Sequence, residues 1–358
     1  MTTTSIIARY RLYNQHIIHN TVKEPYDIVR RMGAIQAQDY LAALWAIGLR
    51  VEGANETAIE QAIAERSIVR TWPMRGTLHF VAAADIRWIL DLLGPRMIAR
   101  AAGRYLQLGL DEDTFARSRD LFVIALQGNR QLTRAAMYQV LENANISTAG
   151  QRGIHILGRL AQEGLLCFGE RQGKQFTFAL LSEWIPQAKS LPREQAQAEL
   201  ALRYFSSHGP AMLEDFVWWS GLTSSDARTA LDMAKPRLVS EVIDGRTYWL
   251  PISVPALGVE PIIAHLIPAF DEYLVGYKDR SAVLDPQFFL RTNAGGGMLN
   301  PAILIDGQVL GTWKRTFKKG AVVIKPEWFT EPTKDQLDAF NIASEHYGAF
   351  LQLPVTFA

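Results

Sequence analysis

Between Asp111 and Leu180 apolar residues recur at helical spacing three times, and the pattern then switches to alternation. Phe115, Leu121, Phe122 and Leu126 mark one helix, and Met137 and Leu141 a second with Thr133 as its N-cap. Ile154, Ile156, Leu157 and Leu160 mark a third that stops at Gly164. Leu165-Leu166-Cys167-Phe168, a polar turn over 170–174 and Phe176-Thr177-Phe178 then read as a two-stranded hairpin. Three helices followed by a hairpin is the winged-helix order, a helix-turn-helix variant whose third helix can enter a major groove.

The same order recurs on either side. Downstream, residues 193–208, 210–220 and 223–234 read as helices, with Thr223 as an N-cap, before a hairpin over 238–243 and 247–250 that turns at Asp244-Gly245. Upstream, helices over 25–32, 40–49 and 56–65 precede strands 68–72 and 77–81, and helical residues 84–106 link this copy to the next. Beyond Pro251 the runs 302–305, 308–313 and 321–324 are strand-like, and a helix over 334–347 follows. The expected fold is therefore α+β and mainly helical, with three tandem winged-helix modules plus a C-terminal β-rich element. The expected boundaries are 1–106, 107–190, 191–252 and 253–358, the first unit including the linking helices.

Composition narrows the function. Hydrophobic residues at 48% and charged residues at 20% predict a chain folded throughout. Cys167 is the single cysteine, which excludes an intramolecular disulfide and a cysteine-based zinc site, so no metal or cofactor is expected. Met1 to Tyr10 lacks the features of a signal peptide, and no apolar run approaches the roughly 18 residues of a membrane span. A cytoplasmic, nucleoid-associated protein is the expectation.

A net charge of +1 gives little overall attraction to phosphates, so distribution matters more than the total. Residues 1–105 carry 13 Lys/Arg against 9 Asp/Glu, and residues 276–325 carry 8 against 3, which places candidate phosphate contacts near both ends of the chain. Lys314, Arg315, Lys318 and Lys319, with Phe317 among them, form the densest cluster. Arg75 and His79 flank the first hairpin, and His79 alternates with apolar Leu78 and Phe80, which predicts that it faces outward.

Other conspicuous residues read as structural. Gly295-Gly296-Gly297 lacks the Lys-Ser/Thr of a phosphate-binding P-loop and reads as a flexible loop. Trp218 and Trp219 fall on a helix and read as core. Asp271, Glu272 and Asp279 lack supporting histidines and read as salt-bridge partners of Lys278 or Arg280.

Several segments resemble the AlkZ-like DNA glycosylases. They are Gly33-Ala34-Ile35-Gln36-Ala37-Gln38-Asp39, Ala42-Ala43-Leu44-Trp45, Arg75-Gly76-Thr77-Leu78-His79 and Gly209-Pro210 with Asp215-Phe216 and Trp218-Trp219-Ser220-Gly221. Phe270-Asp271-Glu272-Tyr273 with Asp279-Arg280, and Asp306-Gly307 with Gly311-Thr312-Trp313, extend the likeness to the C-terminal element. The resemblance implies a C-shaped molecule that cradles alkylated duplex DNA, with Gln36 and Gln38 as the catalytic pair facing the lesion.

The residues allow that chemistry. Amino acids two apart project to one side of an extended segment but diverge on a helix. Gly33 is a natural helix stop and Asp39 a natural cap, so both amides are expected on the connection, facing one cleft. Glutamine does not titrate; it can orient a water and stabilise positive charge developing on the sugar. A purine alkylated at N7 or N3 is already cationic and departs without protonation. Asp39 is the nearest carboxylate, a candidate base or electrostatic support as well as a cap. Water as nucleophile makes the expected enzyme monofunctional, and the absence of a heptad seam favours a monomer. The alternative is a non-catalytic winged-helix DNA-binding protein or transcriptional regulator, which would read base edges and release no base.

Overall fold

Capping side chains start the helices. Asp39, Asn55, Asp111, Thr133 and Thr223 each accept a hydrogen bond from the backbone N–H three residues on, which satisfies a donor that the first helical turn leaves unpaired. Tight turns follow the residues that tolerate positive φ: Asp244 and Gly245 at 49° and 74°, Asp306 and Gly307 at 48° and 82°.

The computed structural model describes residues 3–255, 257–258, 262–295 and 298–358. Gly296 and Gly297, where a flexible loop is expected, lie outside the described residues. The chain opens with α1 (Thr3–Asn14), α2 (Pro25–Met32), β1 (Ile35–Gln36), α3 (Tyr40–Gly48), α4 (Glu56–Ala64) and the hairpin β2 (Ile68–Met74) and β3 (Thr77–Ala82). The long α5 (Ile86–Gln107) leads to α6 (Glu112–Leu126), β4 (Leu132–Thr133), α7 (Arg134–Asn143), α8 (Arg152–Gln162), β5 (Leu166–Phe168) and β6 (Thr177–Leu180). After α9 (Leu181–Trp184) come α10 (Arg193–His208), α11 (Leu213–Ser220), α12 (Ser224–Ala234) and the hairpin β7 (Leu238–Ile243) and β8 (Arg246–Pro251). The remainder holds β9 (Ala264–Ile267), α13 (Glu272–Val275), α14 (Phe289–Thr292), β10 (Asn293–Gly295), β11 (Met298–Leu299), β12 (Ala302–Ile305), β13 (Gln308–Lys318), β14 (Ala321–Trp328), α15 (Lys334–Leu351) and β15 (Val355–Phe357).

The fold is thus mixed α+β and mainly helical, and the order of three helices and a hairpin is present over 112–180 and 193–251. Two short strands, β1 and β4, are additions: each pairs with the second strand of its hairpin, giving sheet orders β1-β3-β2 and β4-β6-β5. α8, the third helix of the middle unit, packs against α5 and β2, while Arg152, Ile154, His155, Gly158 and Arg159 along it remain partly exposed.

The C-terminal strands form a five-stranded sheet ordered β15-β14-β13-β12-β9, antiparallel except for the β14–β15 pair. This sheet shares one hydrophobic core with α1–α4 and α15. Trp45 of α3 packs on Tyr347 and Phe350 at 5.0 Å and donates its indole N–H to Leu266 O at 2.6 Å. Trp313 of β13 donates to the next carbonyl, Ile267 O, at 2.9 Å. A second core joins β2, β3 and α5 to α10–α12, and a third joins Trp72 and Leu78 to α6–α8. Burial therefore crosses residues 106, 190 and 252, where the sequence pattern changes.

Candidate active site and nucleic-acid interface

Gly33 ends α2 at φ 77° and turns the chain into β1. There Ile35 pairs with Phe80 and Gln36 with His79, so the segment carrying both glutamines is an extended edge on the first sheet. Its backbone is held on every side. Gln36 N–H donates to Glu272 Oε1 at 2.8 Å, and Ala37 N–H donates to Leu78 O at 2.7 Å. Ala37 O accepts from Arg70 Nε and Nη2 at 3.1 and 2.7 Å.

The two side chains are fixed as well. Gln36 Oε1 accepts from Gln38 N–H at 3.2 Å, and Gln38 Oε1 accepts from Leu78 N–H at 3.3 Å. A backbone donor can bond only the oxygen of an amide, so each partner defines which end of the glutamine carries the NH2. The pair differs in exposure: Gln38 is exposed at the mouth of a cleft of about 880 Å³, whereas Gln36 is buried behind it with 7% of its surface accessible. Aromatic side chains, among them Trp72, Tyr138, Phe168, Phe176 and Phe178, form the cleft walls.

Charged groups lie behind this surface. Glu272 is fully buried; its Oε2 accepts from Trp219 Nε1 at 2.9 Å, and His208 Nε2 stands 3.5 Å away, at the outer limit of a hydrogen bond. Burial pushes the Glu272 carboxyl up, but His208 and the positive charge of Arg75 outweigh that and hold it down at about 2. A buried negative charge thus sits directly beneath the Gln36 backbone. Arg70 lies on the opposite side, 4.4 Å over the Phe176 ring and 5.0 Å over Phe168, with its pKa lowered to about 10 by burial.

Glu272 and Arg70 were invisible as site residues in the sequence. Glu272 does not pair with Lys278 or Arg280 as expected: Asp271 forms a bidentate ion pair with Arg50 at 2.7 and 2.9 Å, and Asp279 pairs with Arg246. Arg280 instead donates to Leu274 O at 2.7 Å. The signal that could have found Glu272 is its place in the Phe270-Asp271-Glu272-Tyr273 segment, whose likeness to the family carries no salt-bridge logic.

Of the remaining expected site residues, Asp39 is the N-cap of α3, accepting from Ala42 N–H at 3.1 Å while remaining exposed. His79 does not face outward. β3 is the central strand of its sheet and is covered on both faces, so alternation fails there and His79 is 0% exposed. Its Nδ1 donates to Thr77 O at 3.0 Å and its Nε2 accepts from Arg75 at 3.4 Å, while burial and the neighbouring Arg75 lower its pKa to about 4. A neutral, enclosed imidazole offers no atom to a phosphate. Arg75 is half-buried at the hairpin turn and donates to Val275 O at 3.2 Å.

Lys314, Lys318 and Lys319 are exposed on the β13–β14 hairpin with Phe317, which is 50% exposed. Arg315 turns inward to the Tyr347 hydroxyl, and its charge reaches Glu56 at the start of α4. The structure therefore brings Gln36, Gln38 and Asp39 together and leaves the lysine-rich tip as a separate exposed surface.

The described residues thus present a cleft walled by aromatic rings with an amide at its mouth, and a separate exposed basic hairpin. Residues 29–350 match the family described as DNA glycosylase AlkZ-like. The chain belongs to this family of DNA glycosylases, hydrolases that cut N-glycosidic bonds. It is similar to the interstrand DNA cross-link repair glycosylase of Streptomyces sahachiroi, with 26% identity over 360 residues and 92% of each protein covered. The solved structure of Streptomyces sahachiroi DNA glycosylase AlkZ matches the fold with a TM-score of 0.79 at 22% identity, covering 100% of both chains.

Proposed function

We propose that this glycosylase releases N7- and N3-alkylated purines from duplex DNA, cross-linked guanines included, using water positioned by Gln36 and Gln38. The observation that carries the proposal is the fixed orientation of both amides, each with its carbonyl oxygen bonded to a backbone N–H. A carbonyl oxygen has two lone pairs, so each can still accept a hydrogen bond from one water and aim that water's own lone pair at the sugar. Such preorganised dipoles cost little reorganisation when charge develops on the deoxyribose. The alkylated purine brings its own positive charge as leaving group, and positioning then supplies most of what remains. The printed name of the Streptomyces relative, a cross-link repair enzyme, supports extending the substrate to bulky adducts, as does the open cleft beside Gln38.

In this reading the three units of helices and hairpin are winged-helix modules, 1–106, 107–190 and 191–252, joined to the 253–358 element in a C-shaped monomer around duplex DNA. Lys314, Lys318 and Lys319 contact the phosphate backbone, with Arg315 behind them, and Arg75 acts separately at the β2–β3 turn. Asp39 caps α3, and its carboxylate adds negative potential at the cleft.

Incubating the protein with methylated duplex DNA and separating free bases by chromatography tests the proposal. Release of 7-methylguanine or 3-methyladenine, without release of undamaged guanine, is expected. Lys174 also lines the cleft, so borohydride trapping is the companion measurement. Water as nucleophile predicts no trapped adduct, and a covalent product lost in Lys174→Ala would replace the glutamine mechanism with an imine one.

A further inference from the structure

A second cavity, of about 620 Å³, lies on the other side of Trp72, which lines both it and the cleft at Gln38. Its wall is built by the β2–β3 turn, α5, α8 and the end of α11. Arg75, Arg96, Arg100 and Arg159 face it, and its lining includes no aspartate or glutamate. Arg159 is neutralised by Glu112 and Glu163. The other three form no ion pair among the described residues. Arg75 also lies in the field of the buried Glu272 carboxylate; in a chain with net charge +1, Arg96 and Arg100, gathered without a counter-ion among the described residues, make a local site for an anion.

Two of these arginines are oriented. Arg96 Nε donates to Gly221 O at 2.6 Å, which turns its terminal nitrogens away from that bond, and Arg75 is anchored on Val275 O. Val275 O also accepts from the indole N–H of Trp218 at 3.2 Å, so one carbonyl fixes both an arginine and an aromatic ring at the rim. Trp218 is 47% exposed, unlike its neighbour Trp219, which is fully buried. The expectation that both tryptophans are core therefore holds for one only. Deeper in, the side-chain amide oxygen of Gln162 has no hydrogen-bond partner among the described residues, although the residue is only 8% exposed.

We infer that this cavity holds one unpaired nucleotide of the DNA strand, its base stacked on Trp218 and its phosphate on Arg96 and Arg100. The inference rests on the proposed action on duplex DNA and deepens it: the enzyme grips a nucleotide outside the duplex stack across the Trp72 partition from Gln38. An exposed aromatic face next to unneutralised arginines is what single-stranded nucleic acid requires, because every base has a π-face and every nucleotide a phosphate. The volume falls within the range of about 300–1,000 Å³ usual for ligand sites. Gln162 supplies an acceptor for a base N–H.

The test uses the full chain and two duplexes, identical except for one unpaired thymine, with binding followed by anisotropy over a range of salt. The expected result is tighter binding of the bulged duplex. Trp218→Ala should weaken that binding by roughly tenfold or more and leave the perfect duplex little changed. Arg100→Gln, at an exposed position that folding does not depend on, should flatten the salt dependence for the bulged duplex. Equal affinity of both variants and the parent for the bulged duplex, with folding verified by circular dichroism, would overturn the assignment. Thymidine 5′-monophosphate binding as tightly as the bulged duplex would also overturn it, since the cavity would then serve a free nucleotide. Base release is measured on the same preparation: release without discrimination between duplexes removes the cavity assignment alone, and discrimination without release from alkylated DNA removes the alkylpurine reading alone.

Discussion

Under the proposed mechanism, the distinction between an amide and a carboxylate at Gln36 and Gln38 governs what the site can do. Neither amide takes up a proton, so their contribution depends on where they point, and the bonds from Gln38 N–H and Leu78 N–H decide that. Glu272 supports the arrangement from below. Glu272→Gln is expected to lower stability by about 1–3 kcal/mol, because Gln36 N–H and Trp219 Nε1–H both need an acceptor in a dry site. A shift of the Gln36 backbone by about 1 Å would cost on the order of a hundredfold in base release. Single-turnover release and urea titration on the same variant check both, and unchanged release would show that base release does not depend on this carboxylate.

Asp39 separates into two roles by substitution. Asp39→Asn keeps the cap on Ala42 N–H and removes the charge, whereas Asp39→Ala removes both. The expected pattern is a loss of about 1 kcal/mol in the alanine variant only. A large drop in release for Asp39→Asn at unchanged stability would assign the carboxylate a chemical role beyond capping.

His79 makes stability pH-dependent. Burial and Arg75 hold its pKa near 4, against 6.5 for the free side chain, so the unfolded chain binds a proton that the folded one refuses. The stabilisation is complete above pH 6.5 and is lost as pH falls towards 4. Glu272 acts lower, contributing above 4.5 and losing its effect as pH falls towards 2. Urea midpoints measured from pH 7.5 to pH 4 should fall, and His79→Gln should flatten part of that slope; an identical slope in the variant would contradict the burial of a neutral imidazole. The alternation of Leu78, His79 and Phe80 could not disclose this, because it presumes a strand with one wet face. β1 covers one edge of β3, and its faces are covered by all three cores, with Phe80 in the first, Val81 in the second and Leu78 in the third.

Among the elements, the β13–β14 hairpin is the clearest surface device. Its basic residues were legible as a cluster in the sequence, and Lys314, Lys318 and Lys319 are exposed there beside Phe317. Lys318→Glu with Lys319→Glu should weaken duplex binding and reduce the slope of log affinity against log salt by about 2, while the unfolding midpoint stays unchanged. A slope equal to that of the parent would move the phosphate contacts elsewhere. Arg315 shows the limit of reading such clusters: charge density along the chain does not reveal that one of four basic side chains folds back onto Tyr347.

Element boundaries were largely legible because caps and turns are local. Thr133, Thr223, Asp244-Gly245 and Asp306-Gly307 act within four residues of chain, and the observed helices and hairpins start or turn there. The short strands β1 and β4 were not legible, since a two-residue strand has no period and exists only through its partner. α1 likewise carries no clear apolar stripe; it is recruited into the core beside the C-terminal sheet. Trp45 and Trp313 appeared as motif residues far apart in sequence. Their indole N–H groups donate to consecutive carbonyls of the edge strand β9.

Across the whole molecule, the pattern of repeats marks units of chain while burial joins them. The largest core unites the first helices with the last sheet, so the glutamine strand and its buried Glu272, 236 residues apart, are brought together by tertiary packing alone. That is why the amides were legible and their support was not. The buried Arg50–Asp271 pair fastens the same junction, and Arg50→Ala should cost about 3–5 kcal/mol by leaving Asp271 charged and unpaired in a dry core.

The most direct test of the account is single-turnover release of 7-methylguanine by the parent, Gln38→Ala and the Gln36→Ala/Gln38→Ala double variant, with duplex affinity measured beside it. Water held by the amides predicts that the double variant releases no base above the spontaneous rate while its affinity for DNA stays within about threefold of the parent, since phosphate contacts carry most of the binding. Release by the double variant at the parent's rate would contradict the account.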